Sequence, residues 1–291
     1  MKLSIITINY NNAIGLKKTL DSVASQLYTN FEHIIVDGAS TDGSVDIIYE
    51  YEQSLNSNYS PLASRLKWIS EKDTGIYNAM NKGVRMAQGE YTLMLNSGDY
   101  LVDEKVIENV IPLLDGTDII QGNIIEDLGI NKYRNRGYGR SDIDFFDVMR
   151  GFFLHQAAFC RRDLFDRYGS FDESYKIIGD TKFFMSCLMQ DAKFRYVDLD
   201  ITNYDISGIS ADTTGPWADL KWKENRRMRE ELYSQRINIF FEKNEKKIRF
   251  YDDLHRYKWI WKMVMVLNYI KNIFYSSLSL IKREKLCDFK F

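Results

Sequence analysis

Residues 92–101 read TLMLNSGDYL, in which an apolar run gives way abruptly to small polar residues and one carboxylate, Asp99. The run, with Tyr91 before it, has the length and composition of a buried strand. Ligands of open α/β sheets bind beyond the carboxyl ends of the strands. The stretch therefore predicts that Asp99 lies where a reacting group would be held.

The residues before this stretch alternate between β-branched apolar runs and amphipathic helical patterns. Strands are predicted at 2–8, 31–36, 66–70 and 91–95, and helices at about 13–26, 44–53 and 76–87. Such alternation predicts an α/β fold with a Rossmann-like, mostly parallel central sheet, right-handed crossovers and flanking helices.

Beyond Asp99 the pattern is less regular. We predict a helix at 106–114, a strand at 117–125, a mobile loop in the Gly-, Arg- and Tyr-rich segment 131–140, a strand or buried segment at 152–161, a helix at 180–189 and a strand at 194–197.

The net charge of −2 over 291 residues hides an asymmetry along the chain. Residues 1–216 hold 21 Lys and Arg against 31 Asp and Glu, whereas residues 217–291 hold 18 against 10. We therefore predict a domain at 1–216 and a basic, helical C-terminal extension at 217–291. Over about 256–285, apolar residues share one helical face, but Lys262 and Lys271 interrupt the run. The pattern disfavours a transmembrane span and leaves open a helix in a membrane interface, or one packed on the body or on a second subunit of a homodimer.

Cys160, Cys187 and Cys287 lack the spacing of a metal site, and a chain of this size needs no disulfide framework. The first residues, MKLSIITINY, contain a short apolar run without a cleavage site of small residues. They are typical of a first strand and not of a signal peptide. We therefore expect reduced thiols and a cytoplasmic location.

Polar side chains follow three of the predicted strands. The clusters are Thr7, Asn9 and Tyr10; Asp37, Ser40 and Asp42; and Asp73 with Gly75. Because the carboxyl ends of parallel strands meet at one edge of the sheet, these clusters could receive a nucleotide. Asp37 and Asp42 could equally make turns and cap the helices that follow. No phosphate loop of the G-x-x-x-x-G-K type and no G-x-G-x-x-G after the first strand occur, so ATPase and dinucleotide-binding functions lose their main support.

Four segments together resemble the family 2 glycosyltransferases with the GT-A fold, especially bacterial members of cell-surface polysaccharide pathways. In order, they read TINYNN, VDGASTDGS, SEKDTGIYNAMNKG and GEYTLMLNSGDYL. The resemblance is strong over residues 1–101 and continues weakly to about residue 210.

The resemblance implies which residues bind the donor. The first motif places Thr7, Asn9 and Tyr10 around the nucleotide; the second puts Asp37 at the base, supported by Ser40 and Asp42; the third puts Asp73 beneath the uridine. The fourth corresponds to the D-x-D motif of the family, which holds a divalent cation, Mn²⁺ or Mg²⁺, on the diphosphate. Here it reads Asn96-Ser97-Gly98-Asp99, so Asp99 is the one carboxylate candidate, with Asn96 as a neutral helper. Such a cation can be held by one or two carboxylates together with phosphates and water.

The resemblance also implies a general base in the second half of the chain. The family takes it from an acidic residue at the start of a helix, a place that Asp180 occupies within the segment IGDT. The alternative role for Asp180 is a helix N-cap. His155 and Gln156 resemble a motif on the acceptor side, although a lone histidine is often a core residue.

These assignments predict an inverting glycosyltransferase that moves a sugar from a nucleotide donor, a UDP-sugar, to a glycan or polyprenyl-lipid-linked acceptor. The extension would then hold the enzyme on the inner face of the plasma membrane, and we expect no nucleic-acid partner. Two alternatives stay open. One is a sugar nucleotidyltransferase, for which the expected Gly-rich basic loop after the first strand is missing; the other is a catalytically degenerate homologue that binds a nucleotide without turnover.

Overall fold

The structure, a computed structural model, describes residues 1–127, 132–143, 147–148, 153–206, 208 and 215–234. The chain divides into two units, Met1–Met228 and Arg229–Phe291. All of the geometry below belongs to the first unit. The predicted amphipathic segment at 256–285 and Cys287 lie outside the described residues.

The first half of the chain forms the parallel part of the sheet, as predicted. Its strands are β1 (Leu3–Asn9), β2 (Glu32–Asp37), β3 (Leu66–Ser70) and β4 (Tyr91–Met94), and its helices are α1 (Ala13–Ala24), α2 (Ser44–Ser57) and α3 (Ile76–Met86). The strands lie side by side in the order β3-β2-β1-β4 and are connected by the helices. Every residue of β1, β2 and β4 is buried, because helices cover both faces of a parallel sheet.

The second half adds strands of both directions, so the complete sheet is mixed. The further strands are β5 (Tyr100–Leu101), β6 (Ile119–Asp127), β7 (Lys132–Asn135), β8 (Ala158–Arg161) and β9 (Phe194–Tyr204). Strand β8 lies antiparallel between β4 and β6, whereas β9 runs parallel to β6. The further helices are α4 (Val106–Val110), α5 (Leu164–Tyr168), α6 (Gly179–Met189) and α7 (Pro216–Leu232). Antiparallel strands need no helical crossover between them, so the alternation of strand and helix patterns in the sequence did not predict these pairings.

Three predicted elements differ from the structure. The segment predicted as a loop at 131–140 contains β7, which pairs antiparallel with β6 and carries Arg134 into ion pairs with Asp198 and Asp200. The helix predicted at 106–114 ends at Val110 and continues as a 3₁₀ turn, because Pro112 has no backbone N–H with which to extend it. The strand predicted at 194–197 extends to Tyr204, since β6 and β5 both pair with it.

Helix α7 lies at the start of the predicted extension. Its Glu224 is buried and accepts backbone hydrogen bonds from Lys176, Ile177 and Ile178, at 2.6, 3.0 and 3.2 Å. The helix thus fixes the segment that leads into α6. The domain boundary after residue 216 stays a prediction. None of the helices within the described residues is long and apolar enough to span a membrane.

His33 lies at the centre of the parallel sheet and should make the fold sensitive to acid. Its ring is fully buried, with Nε2 3.0 Å from Thr7 Oγ1 and Nδ1 3.0 Å from Tyr51 Oη. Burial lowers the pKa of His33 from its ordinary 6.5 to about 3. Below pH 6.5 the unfolded chain therefore binds a proton that the folded chain does not, and the free energy of unfolding falls as the pH falls.

We expect His33 to remove about 2 to 3 kcal/mol of stability between pH 6.5 and pH 4.5. Urea unfolding at both pH values measures this loss. His33→Gln is the control, because it should be less stable than wild type at pH 7.5 but lose less on acidification. Equal losses in both proteins would contradict the assignment to His33.

Candidate active site

A cavity of about 840 Å³ opens beyond the carboxyl ends of β1 to β4. This is the edge at which ligands of open α/β sheets bind. The predicted site residues that line it are Asn9, Tyr10, Asp73, Asp99, His155, Gln156 and Asp180.

One side of the cavity forms a slot beside Gly38. A Cβ atom on Gly38 would lie 2.8 Å from Asp73 Oδ2 and 3.0 Å from Tyr10 Cδ2, so only glycine leaves this space open. The ring of Tyr10 is 67% exposed, although it lies at the cavity. Asp73 Oδ1 accepts a hydrogen bond from the Gly75 N–H at 3.1 Å, and among the described residues Oδ2 has no donor. The slot thus offers an aromatic face and a free carboxylate oxygen to a flat ligand.

Thr7, Asp37 and Ser40 lie behind this slot and do not line the cavity. Thr7 is fully buried against His33. The Asp37 carboxylate accepts hydrogen bonds from Asn9 Nδ2, the backbone and hydroxyl of Ser40, and the Ser70 hydroxyl, at 2.6 to 2.9 Å. Burial would raise its pKa, but these donors outweigh burial and hold the pKa below its ordinary value. The contacts of Asp37 are therefore those of a residue that stabilises a turn, which was the alternative role for it.

The loop formed by residues 96–99, here called the NSGD loop, places Asp99 at the cavity and is hydrogen-bonded to α1. Thr19 Oγ1 donates to Asp99 O at 2.6 Å and accepts from the Gly98 N–H at 3.0 Å. Gly98 has a φ of +105°, which favours glycine, and a Cβ there would lie 2.6 Å from Asp205 Oδ2. The loop therefore brings the Asp205 carboxylate close to Asp99.

Asp99 is 4% exposed and is bonded to Asp205 through the backbone. The Asp205 N–H donates to Asp99 Oδ1 at 2.9 Å, and among the described residues Asp99 Oδ2 has no hydrogen-bond donor. Burial raises the pKa of Asp99 to about 7; the Asp205 N–H and His155 oppose the rise, and the Asp205 carboxylate adds to it. Such a carboxylate is stabilised by a positive charge nearby.

The resemblance implies a divalent cation at this loop, and the donor atoms present fit one. Asp99, Asp205 and Asn96 all line the cavity, and Asn96 Oδ1 is buried without a hydrogen-bond partner in the described part of the chain. Carboxylate and amide oxygens are ligands that Mg²⁺ and Mn²⁺ accept. The described residues contain no group of three or more His, Cys, Asp or Glu side chains that could hold a metal unaided. A cation here would therefore need oxygen atoms from its substrate or from water as well.

Asp180 also lines the cavity and lies in the first turn of α6. Its Oδ1 accepts a hydrogen bond from Tyr77 Oη at 2.8 Å, and its Oδ2 lies 2.7 Å from His155 Nδ1. The N-cap of α6 is Ile178, so the alternative role of Asp180 as the cap is excluded. Gly179 permits this arrangement, since a Cβ there would lie 2.7 Å from the Tyr77 ring.

The two side chains of the pair alter each other's pKa. Burial would raise the pKa of Asp180, but His155 and the hydrogen bonds hold it below its ordinary value. Burial would lower the pKa of His155, but Asp180 outweighs it and raises that pKa. The other ring nitrogen, His155 Nε2, is buried and has no hydrogen-bond partner within the described residues. The pair therefore leaves one buried ring nitrogen without a partner among the described residues, in a residue that lines the cavity.

The family model of "Glycosyl transferase family 2" matches residues 4–171 of the chain. The chain belongs to glycosyl transferase family 2. The resemblance inferred from the four motifs is thereby confirmed. A curated relative, the PGL/p-HBAD biosynthesis glycosyltransferase of Mycobacterium bovis, is 31% identical over 214 residues, which cover 72% of this chain and 79% of the relative.

Solved structures show that this family 2 chain has the GT-A fold. Staphylococcus aureus TarS 1–349, in complex with UDP-GlcNAc, matches with a TM-score of 0.62 and 18% identity, over 82% of this chain and 69% of TarS 1–349. The mannosyltransferase PcManGT from Pyrobaculum calidifontis, in complex with GDP-Man and Mn²⁺, matches with a TM-score of 0.56 and 17% identity, over 89% and 84% of the two chains.

Sequence reasoning missed four residues of this glycosyltransferase that line the cavity. Lys72 and Lys176 bring two positive charges, Tyr77 holds Asp180, and Asp205 adjoins Asp99. Tyr77 stands within the quoted segment SEKDTGIYNAMNKG and could have been singled out as an aromatic residue two positions after Gly75. Asp205 follows a strand 106 residues after Asp99, and no local pattern connects the two.

Proposed function

We propose that this glycosyltransferase moves a sugar from a UDP-sugar to a hydroxyl group of a glycan or lipid-linked acceptor, with inversion at the anomeric carbon. One observation carries the proposal: a single cavity brings together the slot beside Gly38, the Asp99 and Asp205 carboxylates, and the Asp180–His155 pair. The complexes of TarS with UDP-GlcNAc and of PcManGT with GDP-Man support a nucleotide-sugar donor. The PGL/p-HBAD biosynthesis relative supports an acceptor that becomes part of a cell-surface glycoconjugate.

The base would lie in the slot between Tyr10 and Asp73. A flat pyrimidine stacks on an aromatic face, and Asp73 Oδ2 can accept a hydrogen bond from its N–H. Asn9, Asp37 and Ser40 would then support the wall behind it through the hydrogen bonds that they share.

Replacing Tyr10 with alanine should weaken UDP binding about tenfold, since stacking of a base on an aromatic ring contributes about 1 to 3 kcal/mol. Titration calorimetry with UDP and Mn²⁺ measures the affinity. Tyr59→Ala is the matched control, because Tyr59 is 92% exposed and lies away from the cavity. Equal affinities for the two variants would contradict the placement of the base.

The diphosphate would lie between the two lysines and the NSGD loop. Lys72 and Lys176 supply positive charge to the phosphate oxygens, with Lys176 Nζ held 3.2 Å from Thr74 O. Asp99, Asp205 and Asn96 would hold the divalent cation; Mn²⁺ in the PcManGT complex supports such a cation. A bound cation would neutralise charge that develops on the departing diphosphate.

Inversion in a single displacement requires a base on the acceptor side. The acceptor hydroxyl attacks the anomeric carbon while its proton is removed, and the diphosphate leaves from the opposite face. The Asp180–His155 pair, with Gln156 beside it, supplies this base and acceptor contact in our proposal. Peripheral membrane contact of the enzyme through residues 256–285, and a homodimer, stay predictions.

A further inference from the structure

Both oxygen atoms of the Asp180 carboxylate are already engaged by protein groups. Tyr77 Oη donates to Oδ1 at 2.8 Å, and His155 Nδ1 lies 2.7 Å from Oδ2. Asp180 and His155 are similarly buried, with 12% and 13% of their side chains exposed. A hydrogen bond from the acceptor hydroxyl to Asp180 would share an oxygen atom with Tyr77 or His155.

His155 differs from Asp180 in that one of its polar atoms has no partner among the described residues. It lies on the 3₁₀ turn His155–Ala157 that leads into β8, and it lines the cavity. Nδ1 is bound to Asp180, which leaves Nε2 as the atom without a partner among the described residues. A buried polar atom without a hydrogen-bond partner is unfavourable, so its retention calls for an explanation. A ligand hydroxyl in the cavity would satisfy it.

An aspartate that holds one ring nitrogen fixes the tautomer in which the other nitrogen carries the lone pair. The aspartate also stabilises the imidazolium that forms when a proton arrives. Among the described residues, the charged groups that act on His155 are Asp180 and Asp99, and Tyr77 is hydrogen-bonded to Asp180. Both acids favour the protonated ring, which makes the imidazole a stronger base than an isolated one.

We propose that His155 Nε2, and not Asp180, takes the proton from the acceptor hydroxyl, and that Asp180 is the positioning residue. This inference rests on the proposed function. The acceptor O–H bond breaks and its proton moves to Nε2, while the acceptor oxygen forms a bond to the anomeric carbon. The bond from that carbon to the diphosphate oxygen breaks, and its electron pair leaves with UDP. The imidazolium then returns its proton to water, which restores the neutral ring.

Tyr77 has a defined role in this arrangement. Its hydroxyl occupies Asp180 Oδ1 and thereby keeps Oδ2 directed at His155. Burial and the Asp180 charge raise the pKa of Tyr77 far above its ordinary value, so the hydroxyl stays a donor.

The test uses hydrolysis of a UDP-sugar in the full-length protein, because water then serves as the acceptor. His155→Gln keeps most of the side-chain volume but cannot take the proton, and should lower UDP release about 100-fold, within the range of general base catalysis. His155→Ala should be equally slow, and added imidazole should restore it at least about tenfold by filling the space left by the ring. Imidazole should not restore His155→Gln, in which the space stays filled. UDP affinity with Mn²⁺ should stay within about twofold of wild type in both variants, which also reports on folding.

Two results would overturn the inference. In the first, His155→Gln retains more than about a tenth of the wild-type rate while Asp180→Asn loses about 100-fold, which would make Asp180 the direct base. In the second, imidazole fails to restore His155→Ala, which would leave His155 with a supporting role only.

Asp180→Asn provides a readout that a purely structural role would not give. Losing the carboxylate should move the acidic limb of the residual pH–rate profile to lower pH, since His155 loses the partner that raises its pKa. An unmoved limb would count against the inference. Failure of UDP release by the wild-type protein itself would be a different result, because it would refute the proposed function.

Discussion

Replacing Asp99 with asparagine is expected to lower UDP-sugar turnover about 1,000-fold, because a cation that stabilises the leaving diphosphate contributes several kcal/mol. Asparagine has the same shape and can still accept the hydrogen bond from the Asp205 N–H, so the loop should keep its conformation. The substitution removes the negative charge that would face the proposed cation. Asp205 and Asn96 remain, but a single carboxylate holds Mg²⁺ or Mn²⁺ less firmly than two.

Two measurements report on Asp99→Asn. UDP release gives the turnover, and titration with UDP in Mn²⁺ and in EDTA separates the cation-dependent part of binding. In the wild-type protein Mn²⁺ should strengthen UDP binding, and in Asp99→Asn this gain should disappear. Asp21→Asn is the matched control, since Asp21 is an exposed residue of α1 that pairs with Lys17 and does not line the cavity. An undiminished Mn²⁺ effect in Asp99→Asn would refute the assignment of the cation to this loop.

The second large effect is expected at Asp180. Asp180→Asn should lower turnover by about 100- to 1,000-fold and leave UDP affinity unchanged, because general base catalysis contributes in that range and our proposal places Asp180 on the acceptor side. This effect follows whether Asp180 takes the proton itself or positions His155. Tyr77→Phe should have a smaller effect in the same direction, since it removes the hydrogen bond to Oδ1 alone.

Turnover in Asp180→Asn also separates an enzyme from a nucleotide-binding homologue without activity. An active wild-type protein with an inactive, UDP-binding Asp180→Asn variant supports catalysis at this site. Equal rates in the two proteins would show that the measured hydrolysis does not arise from the Asp180–His155 pair.

The sequence predicted the first half of the fold better than the second, for a physical reason. Between Leu3 and Met94 each strand is joined to the next by a helix, and both periodicities are visible in the residues. After Asp99, β7 joins β6 as a hairpin neighbour and β8 enters the sheet antiparallel. Short antiparallel strands need neither a helical crossover nor a long apolar run, so their sequences resemble loops.

The sequence predicted those cavity-lining residues that stand at strand ends within the four motifs. Tyr10, Asp73 and Asp99 line the cavity because each follows a parallel strand at the same edge. Asp37 has the same kind of position, but four hydrogen bonds direct its carboxylate into the turn. Whether such a carboxylate binds a ligand or stabilises a turn depends on the hydrogen-bond donors around it. One of the donors to Asp37 is Ser70, which lies 33 residues away in the sequence.

Contacts between distant segments could not be predicted at all. Asp205 reaches the NSGD loop only because β9 pairs with β5 and ends beside Gly98. The NSGD loop thus has a second carboxylate close to it in space, although none stands beside Asp99 in the sequence. Tyr77 and Asp180, which are 103 residues apart, meet in the same way.

The most direct test of the account is UDP release from a panel of UDP-sugars in Mn²⁺ by three proteins in one assay: wild type, Asp99→Asn and Asp180→Asn. The account predicts that the wild-type protein releases UDP from at least one sugar, that both variants are at least about 100-fold slower, and that only Asp99→Asn loses cation-dependent UDP binding. No release by the wild-type protein from any UDP-sugar, or equal release by all three proteins, would contradict it.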